Sequence, residues 1–337
     1  MGAAPQISPN ERVAEFRRTF AQAENEVGRV IVGHREVIRK VLAALFCGGH
    51  ILIEGVPGLG KTLLVKTAAD VLGLSFKRIQ FTPDLMPSDI VGTQVLTEAE
   101  GRREFRFAAG PIFAHVVLGD EINRATPKTQ SAVLEAMEER QVTVLGTTYV
   151  LEPPFFVLAT QNPIELEGTY PLPEAQMDRF LFKVVMGAPK PEELREILNR
   201  TTGSAVYKVE SIFDAADASA RIEQLKALVR EVMVGDPVER YIIAIIGACT
   251  PGGPNATPEV SQYLRFGPSP RGAQALILSA KVNALLEGRV TASYEDVEDA
   301  IIPALRHRLL RNFQAEAENV TTESILEQAV KRLKKPR

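Results

Sequence analysis

The chain has 337 residues, 45% of them hydrophobic and 24% charged, with a formal net charge of −3. That length accommodates one large domain and a smaller one, and the near-neutral charge gives no general pull toward nucleic acid or anionic lipid. Two distant cysteines, Cys47 and Cys249, and four scattered histidines exclude a disulfide framework or a zinc spacing, and no apolar run reaches membrane-spanning length.

In chain order, Ser8-Pro9-Asn10-Glu11 has the form of a capping box with proline at the first helical position. Val13, Phe16, Phe20, Ala23 and Val27 then recur at helical spacing. Nothing before them has the form of an export signal, so the expected location is the cytoplasm. From about Gly49 to Gly187 short apolar strands alternate with helices, the pattern of a parallel sheet covered on both faces. The strands are expected over 51–53, 76–81, 115–118, 155–160 and 181–185, and their continuous apolar character reads as central strands throughout. Helices are expected over 61–72 and 128–140, and 141–151 reads as a hairpin with Gly146-Thr147 at its turn. Ala188-Pro189-Lys190-Pro191 punctuates the end of the sheet. Beyond it the pattern is helical over 222–234, 238–249, 270–287 and 294–310, with Pro251-Gly252-Gly253-Pro254 as a loop. A boundary within roughly 187–205 divides an α/β core, 1–190, from an α-helical lid, 191–337. The C-terminal Lys331, Arg332, Lys334, Lys335 and Arg337 read as a solvated tail, with a partner-binding arm as the alternative.

The chemistry starts at Gly55, Val56, Pro57, Gly58, Leu59, Gly60, Lys61 and Thr62, which match G-x-x-x-x-G-K-[ST] in full between an apolar strand and a helix. Glycines let the backbone turn its N–H groups onto phosphate oxygens, and the helix N-terminus adds positive potential. Lys61 is expected to reach the β- and γ-phosphates of ATP, and Thr62 to ligate Mg²⁺. The run from His115 to Glu121 is a buried strand ending in two acids. Asp120 is expected to hold Mg²⁺, and Glu121 to orient and polarise the attacking water. Asn162 ends the next strand, where an open parallel sheet binds ligands. Its amide either contacts the γ-phosphate and attacking water or only caps the Pro163 turn.

At this point the chain resembles the MoxR branch of AAA+ ATPases. The resemblance rests on 48–62, RIQFTPDLMPSDIVG (78–92), DEINRATPKTQSAVLEAMEE (120–139), 159–180, 269–289 and PALRHR (303–308). It implies an AAA+ P-loop domain with a central parallel sheet and a smaller all-helical lid. It also implies a hexameric ring with ATP between subunits, and chaperone-like remodelling or assembly of client proteins. Relatives often work beside a partner with a von Willebrand factor A domain, and several mature metal-containing enzymes. Arg179 looks like the arginine finger offered to a neighbouring subunit, the alternative being an ordinary salt-bridged arginine flanking Phe180, and Arg271 like sensor 2 at the start of a lid helix. The segment from Thr82 to about Arg106 resembles the insert of this branch, and the 141–151 hairpin its pre-sensor hairpin; both are candidates for substrate contact. Glu165, Glu167 and Tyr170 fall in the family-like loop after Asn162. Two positions depart from the pattern. His34 stands where Gln is common, and Gly119 precedes the acids where a larger small residue is usual.

Three functions compete. A protein-remodelling ATPase leads. A DNA-dependent AAA+ motor would use similar inserts, but phosphate tracking needs clustered cations and 141–151 contains no Lys or Arg. A small-molecule P-loop kinase would need an acceptor pocket rather than residues arranged for water attack.

Overall fold

In the computed structural model, which describes residues 8–99, 102–163, 168–203, 207–333 and 335, α1 (Pro9–Val30) opens as its sequence directs. The Ser8 hydroxyl accepts from Glu11 N at 3.3 Å while the Glu11 carboxylate accepts from Ser8 N at 2.8 Å, which satisfies two donors the first turn would leave unpaired. The apolar stripe of α1 is buried, with Phe16 and Phe20 against Phe46 of α2 (Arg35–Cys47) at ring-centroid distances of 5.3 and 5.9 Å.

The sheet region follows. It contains β1 (Ile51–Glu54), α3 (Lys61–Val71), β2 (Phe76–Gln80), α4 (Pro87–Val91), β3 (Gly92–Ala99), β4 (Arg102–Ala109) and β5 (Val116–Asp120). Then come α5 (Pro127–Glu139), β6 (Gln141–Val144), β7 (Thr147–Val150), β8 (Phe156–Gln161), α6 (Glu174–Met177) and β9 (Phe182–Val185). Five strands form one parallel sheet in the order β2-β5-β8-β1-β9. Alternate residues feed opposite cores, as a period of two requires. Ile51, Ile53, Val116, Leu118, Phe156 and Leu158 join one apolar cluster; Leu52, Val117, Val157 and Ala159 join the other.

Two of the five strands are not central. β2 and β9 are the edges, and in β2 only Ile79 is fully buried. Phe76 and Phe81 frame the stretch and suggest a buried strand, but the exposed Lys77-Arg78 inside it is what an edge tolerates. The insert before β5 consists of α4 and an antiparallel β3–β4 hairpin. In the second hairpin, β6–β7, the turn is Leu145-Gly146 rather than Gly146-Thr147. Both residues have positive φ (48° and 84°), matching the twist of a two-residue hairpin loop.

Beyond β9 lie α7 (Pro191–Thr202), α8 (Ala218–Glu231), α9 (Asp236–Ala248), α10 (Pro258–Tyr263), β10 (Leu264–Phe266) and α11 (Pro270–Leu286). The chain continues through α12 (Tyr294–Glu298), α13 (Ile301–Leu305), β11 (Leu310–Arg311), α14 (Phe313–Ala317) and α15 (Thr322–Lys331). This region is helical apart from an antiparallel β10–β11 ribbon and a Met233–Thr291 bridge. The single helix expected over 294–310 is instead α12, α13 and a strand. Pro303, which has no N–H, sits in the first turn of α13, where that loss is harmless. The lid helices do not stand apart from the N-terminus. α1 and α2 both pack on α11, and α2 also packs on α8, within one apolar cluster. Of the C-terminal cations, Lys334 and Arg337 lie outside the described residues.

Candidate nucleotide site

β1 delivers the chain to the P-loop. Gly55 N donates to Gln161 O at 3.1 Å, and a Cβ on Gly55 would stand 2.8 Å from Met186 O, so the backbone approach requires glycine. Gly60, at φ 81°, caps the N-terminus of α3. The Lys61 ammonium is buried and donates to the carbonyls of Gly55 and Val56. Burial lowers its pKa, opposed by the nearby charges of Asp120 and Glu121.

β5 and β8 bring the acids to the same place. The Thr62 hydroxyl donates to Asp120 Oδ2 at 3.4 Å, and Thr160 Oγ1 donates to Asp120 Oδ1 at 2.6 Å. Thr160 Oγ1 in turn accepts from Glu121 N at 2.8 Å. Glu121 is left-handed (φ 57°), an uncommon state for a residue with a Cβ and one that gathers at functional sites. Its Oε2 accepts from Gln80 Nε2 and from Arg124 Nη1, both at 3.2 Å. Asn162 is buried immediately after β8, whose Gln161 pairs with Glu54 beside the P-loop. Glu165 and Glu167 lie outside the described residues; Tyr170 is half-exposed, and its backbone bonds to Asn123 O and to Gln130 Nε2.

A cavity of about 240 Å³ opens beside Gly58 and Gly60, walled mostly by apolar groups including Val32, Leu59, Leu63, Pro189, Leu194 and Ile197. His34, Arg200 and Thr201 supply its polar rim. Burial lowers the His34 pKa, and Glu193 partly offsets that shift. An apolar slot beside the phosphate loop suits a planar base. Thr62 and Asp120 are hard oxygen donors of the kind Mg²⁺ takes, so the residues present fit both ATP and Mg²⁺. Gly119 also has a local reason. A Cβ there would lie 3.3 Å from the fully buried ring of Phe81, which takes the room a larger residue would need.

Arg179 and Arg271 are brought to one another rather than to the P-loop. Arg179 Nη1 donates to Leu134 O at 2.5 Å, and its Nε lies 3.9 Å from Glu138. Arg271 Nη2 pairs with the same Glu138 at 2.6 Å, and its Nη1 lies 3.8 Å from Asp178. Ser269, which caps α11, donates to both oxygens of Asp178 at 2.9 and 2.8 Å.

The sequence reading missed three residues in these networks. Arg78 and Gln80 occupy alternate positions on β2 and reach Asp120 and Glu121; the signal was their period-two spacing next to the acid-bearing strand. Arg308 is buried, and all five of its N–H groups are used. They meet the Asp178 carboxylate and the carbonyls of Asp178, Phe180, Leu181 and Ala304. Burial lowers its pKa, and Asp178 opposes the shift.

A P-loop on a parallel sheet, an acid pair at the end of one of its inner strands and a helical lid define an ATPase of the AAA class. Residues 50–182 match the ATPase family associated with various cellular activities (AAA), and residues 258–329 match the AAA lid domain. The chain is 41% identical to the chaperone MoxR1 of Mycobacterium tuberculosis, over 97% of its own length and 85% of that protein's. It is 30% identical to the protein MoxR of Methylorubrum extorquens, over 88% and 89% of the two chains. The solved structure of a candidate ATPase from Cytophaga hutchinsonii superposes with a TM-score of 0.89 at 39% identity, covering 97% of this chain and 98% of that one. This chain belongs to the MoxR family of AAA ATPases. Among the described residues, no helix is long and apolar enough to cross a membrane.

Proposed function

We propose that this chain is a Mg²⁺-dependent ATP hydrolase that works as a ring, hexameric by its family resemblance, and remodels or assembles client protein complexes. The observation that carries the reading is the hydrogen-bonded chain Thr62–Asp120–Thr160–Glu121, which sets a hard-oxygen pair and a second carboxylate, held by Gln80 and Arg124, beside one P-loop. The loop Gly55, Val56, Pro57, Gly58, Leu59 and Gly60 cradles phosphate through its backbone N–H groups, Pro57 shaping the turn without donating, and Lys61 neutralises it. Thr62 and Asp120 hold the metal; bound Mg²⁺ would neutralise phosphate charge and polarise the transferring group. Glu121, placed by its strained backbone and the Thr160 bond, orients water and takes its proton. Asn162 positions the γ-phosphate and water.

The ring is supported by where Arg179 makes its polar contacts: α5 of its own subunit, not its own P-loop. It serves as the finger for a neighbour. Arg271 reports the lid's angle, the core (1–190) and lid (191–337) being the two parts that move. The exposed hairpins face the client. A partner with a von Willebrand factor A domain, a cytoplasmic location and a metal-containing enzyme among the clients belong to the same proposal on family resemblance alone.

The test is Glu121→Gln. ATP binding should persist while hydrolysis falls by about 100-fold or more. Hydrolysis at the wild-type rate would sink the assignment.

A further inference from the structure

Arg78 takes no part in the roles assigned above, yet it makes the closest cationic contact to Asp120. Its Nε and Nη2 donate to Asp120 Oδ2 at 3.1 and 2.7 Å. That is the same oxygen that accepts from Thr62, while Oδ1 is taken by Thr160. The oxygen available to a metal therefore already carries a cation. The two partners differ in freedom: the Arg78 side chain is 47% exposed on an edge strand, that of Asp120 only 11%. Arg78 can exchange Asp120 for water at little cost. Asp120 cannot do the same, because an unpaired buried carboxylate is expensive.

We infer that Arg78 is a resident counter-ion that competes with Mg²⁺ for Asp120 Oδ2 and yields only when nucleotide supplies further ligands to the metal. The inference rests on the proposed role of Thr62 and Asp120 at the metal. A guanidinium has no site for oxygen ligands beyond its own N–H donors, whereas Mg²⁺ can bind Asp120, Thr62 and phosphate oxygens together. Bare Mg²⁺ thus meets an occupied carboxylate, and metal enters with nucleotide rather than ahead of it. Release also reaches the second acid. Arg78 Nη2 donates to Gln80 Oε1, and Gln80 Nε2 donates to Glu121 Oε2 at 3.2 Å, so freeing Arg78 frees a partner of the residue that holds Glu121.

The experiment titrates Mg²⁺ into the full chain with a fluorescent ADP at fixed concentration and reads binding, not turnover. Arg78→Gln should lower the Mg²⁺ midpoint by about fivefold, the scale of a part-exposed ion pair. Binding of the same nucleotide in EDTA should be unchanged, and Arg78→Lys, which keeps the charge, should retain the wild-type midpoint. An unchanged or raised midpoint in Arg78→Gln overturns the inference, as does an Arg78→Lys protein that behaves like Arg78→Gln. Asp120→Asn separates the layers. If it abolishes the Mg²⁺ dependence while Arg78→Gln does nothing, only the counter-ion fails. If Asp120→Asn has no effect, the metal assignment falls and the counter-ion with it.

Discussion

Arg308 is where single-residue chemistry ties core to lid. It lies in the turn that follows α13 and spends five N–H donors on residues 178–181 and on Ala304. A neutral side chain of similar length would leave Asp178 with Ser269 and Arg271 and strip several buried carbonyls of donors. Arg308→Met should therefore lower unfolding stability by about 3–5 kcal/mol, the range for breaking a buried pair by removing one partner. Urea unfolding followed by circular dichroism checks this, and a loss below about 1 kcal/mol would mean that the network relaxes without it. His307 beside it is buried, with Nε2 3.0 Å from Phe180 O, and burial holds its pKa well below the usual imidazole value. None of this was legible in PALRHR, because apart from Ala304 the partners of Arg308 lie about 130 positions away. The P-loop motif, by contrast, is legible in the sequence, because its turn and the helix that follows depend on neighbours in the chain.

At the scale of elements, the two hairpins are joined. Phe107 of β4 stacks on Tyr149 of β7 with ring centroids 4.0 Å apart, and Phe113 packs edge-on against both. Nearby, Phe105, Leu145 and Val150 are each more than two-thirds exposed. The pairing of these hairpins is non-local, so the spacing that revealed 141–151 as a hairpin said nothing of its contact with the earlier insert. Phe107→Ala and Tyr149→Ala, alone and together, should give a coupling energy of about 1 kcal/mol in a double-mutant cycle read from hydrogen exchange of β3 and β4. Additive effects would mean that the hairpins move independently. The edge position of β2 belongs to this scale too. Strand order depends on which crossovers the helices make, and a local apolar run does not encode it.

For the whole molecule, the lid rests on the N-terminal helices as much as on the sheet: α1 and α2 share one core with α8, α9 and α11. Two ion pairs, Arg12–Glu231 and Arg221–Glu15, tie α1 to α8. Shifts of the lid should therefore be felt by α1 and by the apolar pocket that Val30 at its C-terminus and the following Ile31 help to wall. The ring is tested at this scale. Mixing Lys61→Ala with Arg179→Ala subunits, each inactive alone, should restore part of the activity, because in the proposed ring a site can then combine one subunit's Lys61 with its neighbour's Arg179. Arg179→Ala alone should cut turnover by about 10³-fold or more while sparing nucleotide binding. No recovery on mixing would point to independent subunits.

By itself the sequence determined the glycine-rich P-loop motif, the adjacent acids, the capped first helix and the alternation of strands and helices. All of these are written in spacings of a few residues, where propensity, periodicity and motif act directly. Only the tertiary structure decided that β2 lies at an edge and that Arg78 and Gln80 therefore reach Asp120 and Glu121. It also decided that Arg179 and Arg271 meet at Glu138, and that Arg308 bonds the lid to the core. Those contacts join residues tens to more than a hundred positions apart. What brings them together is the burial of both faces of one sheet, a property of the folded chain and of no single segment within it.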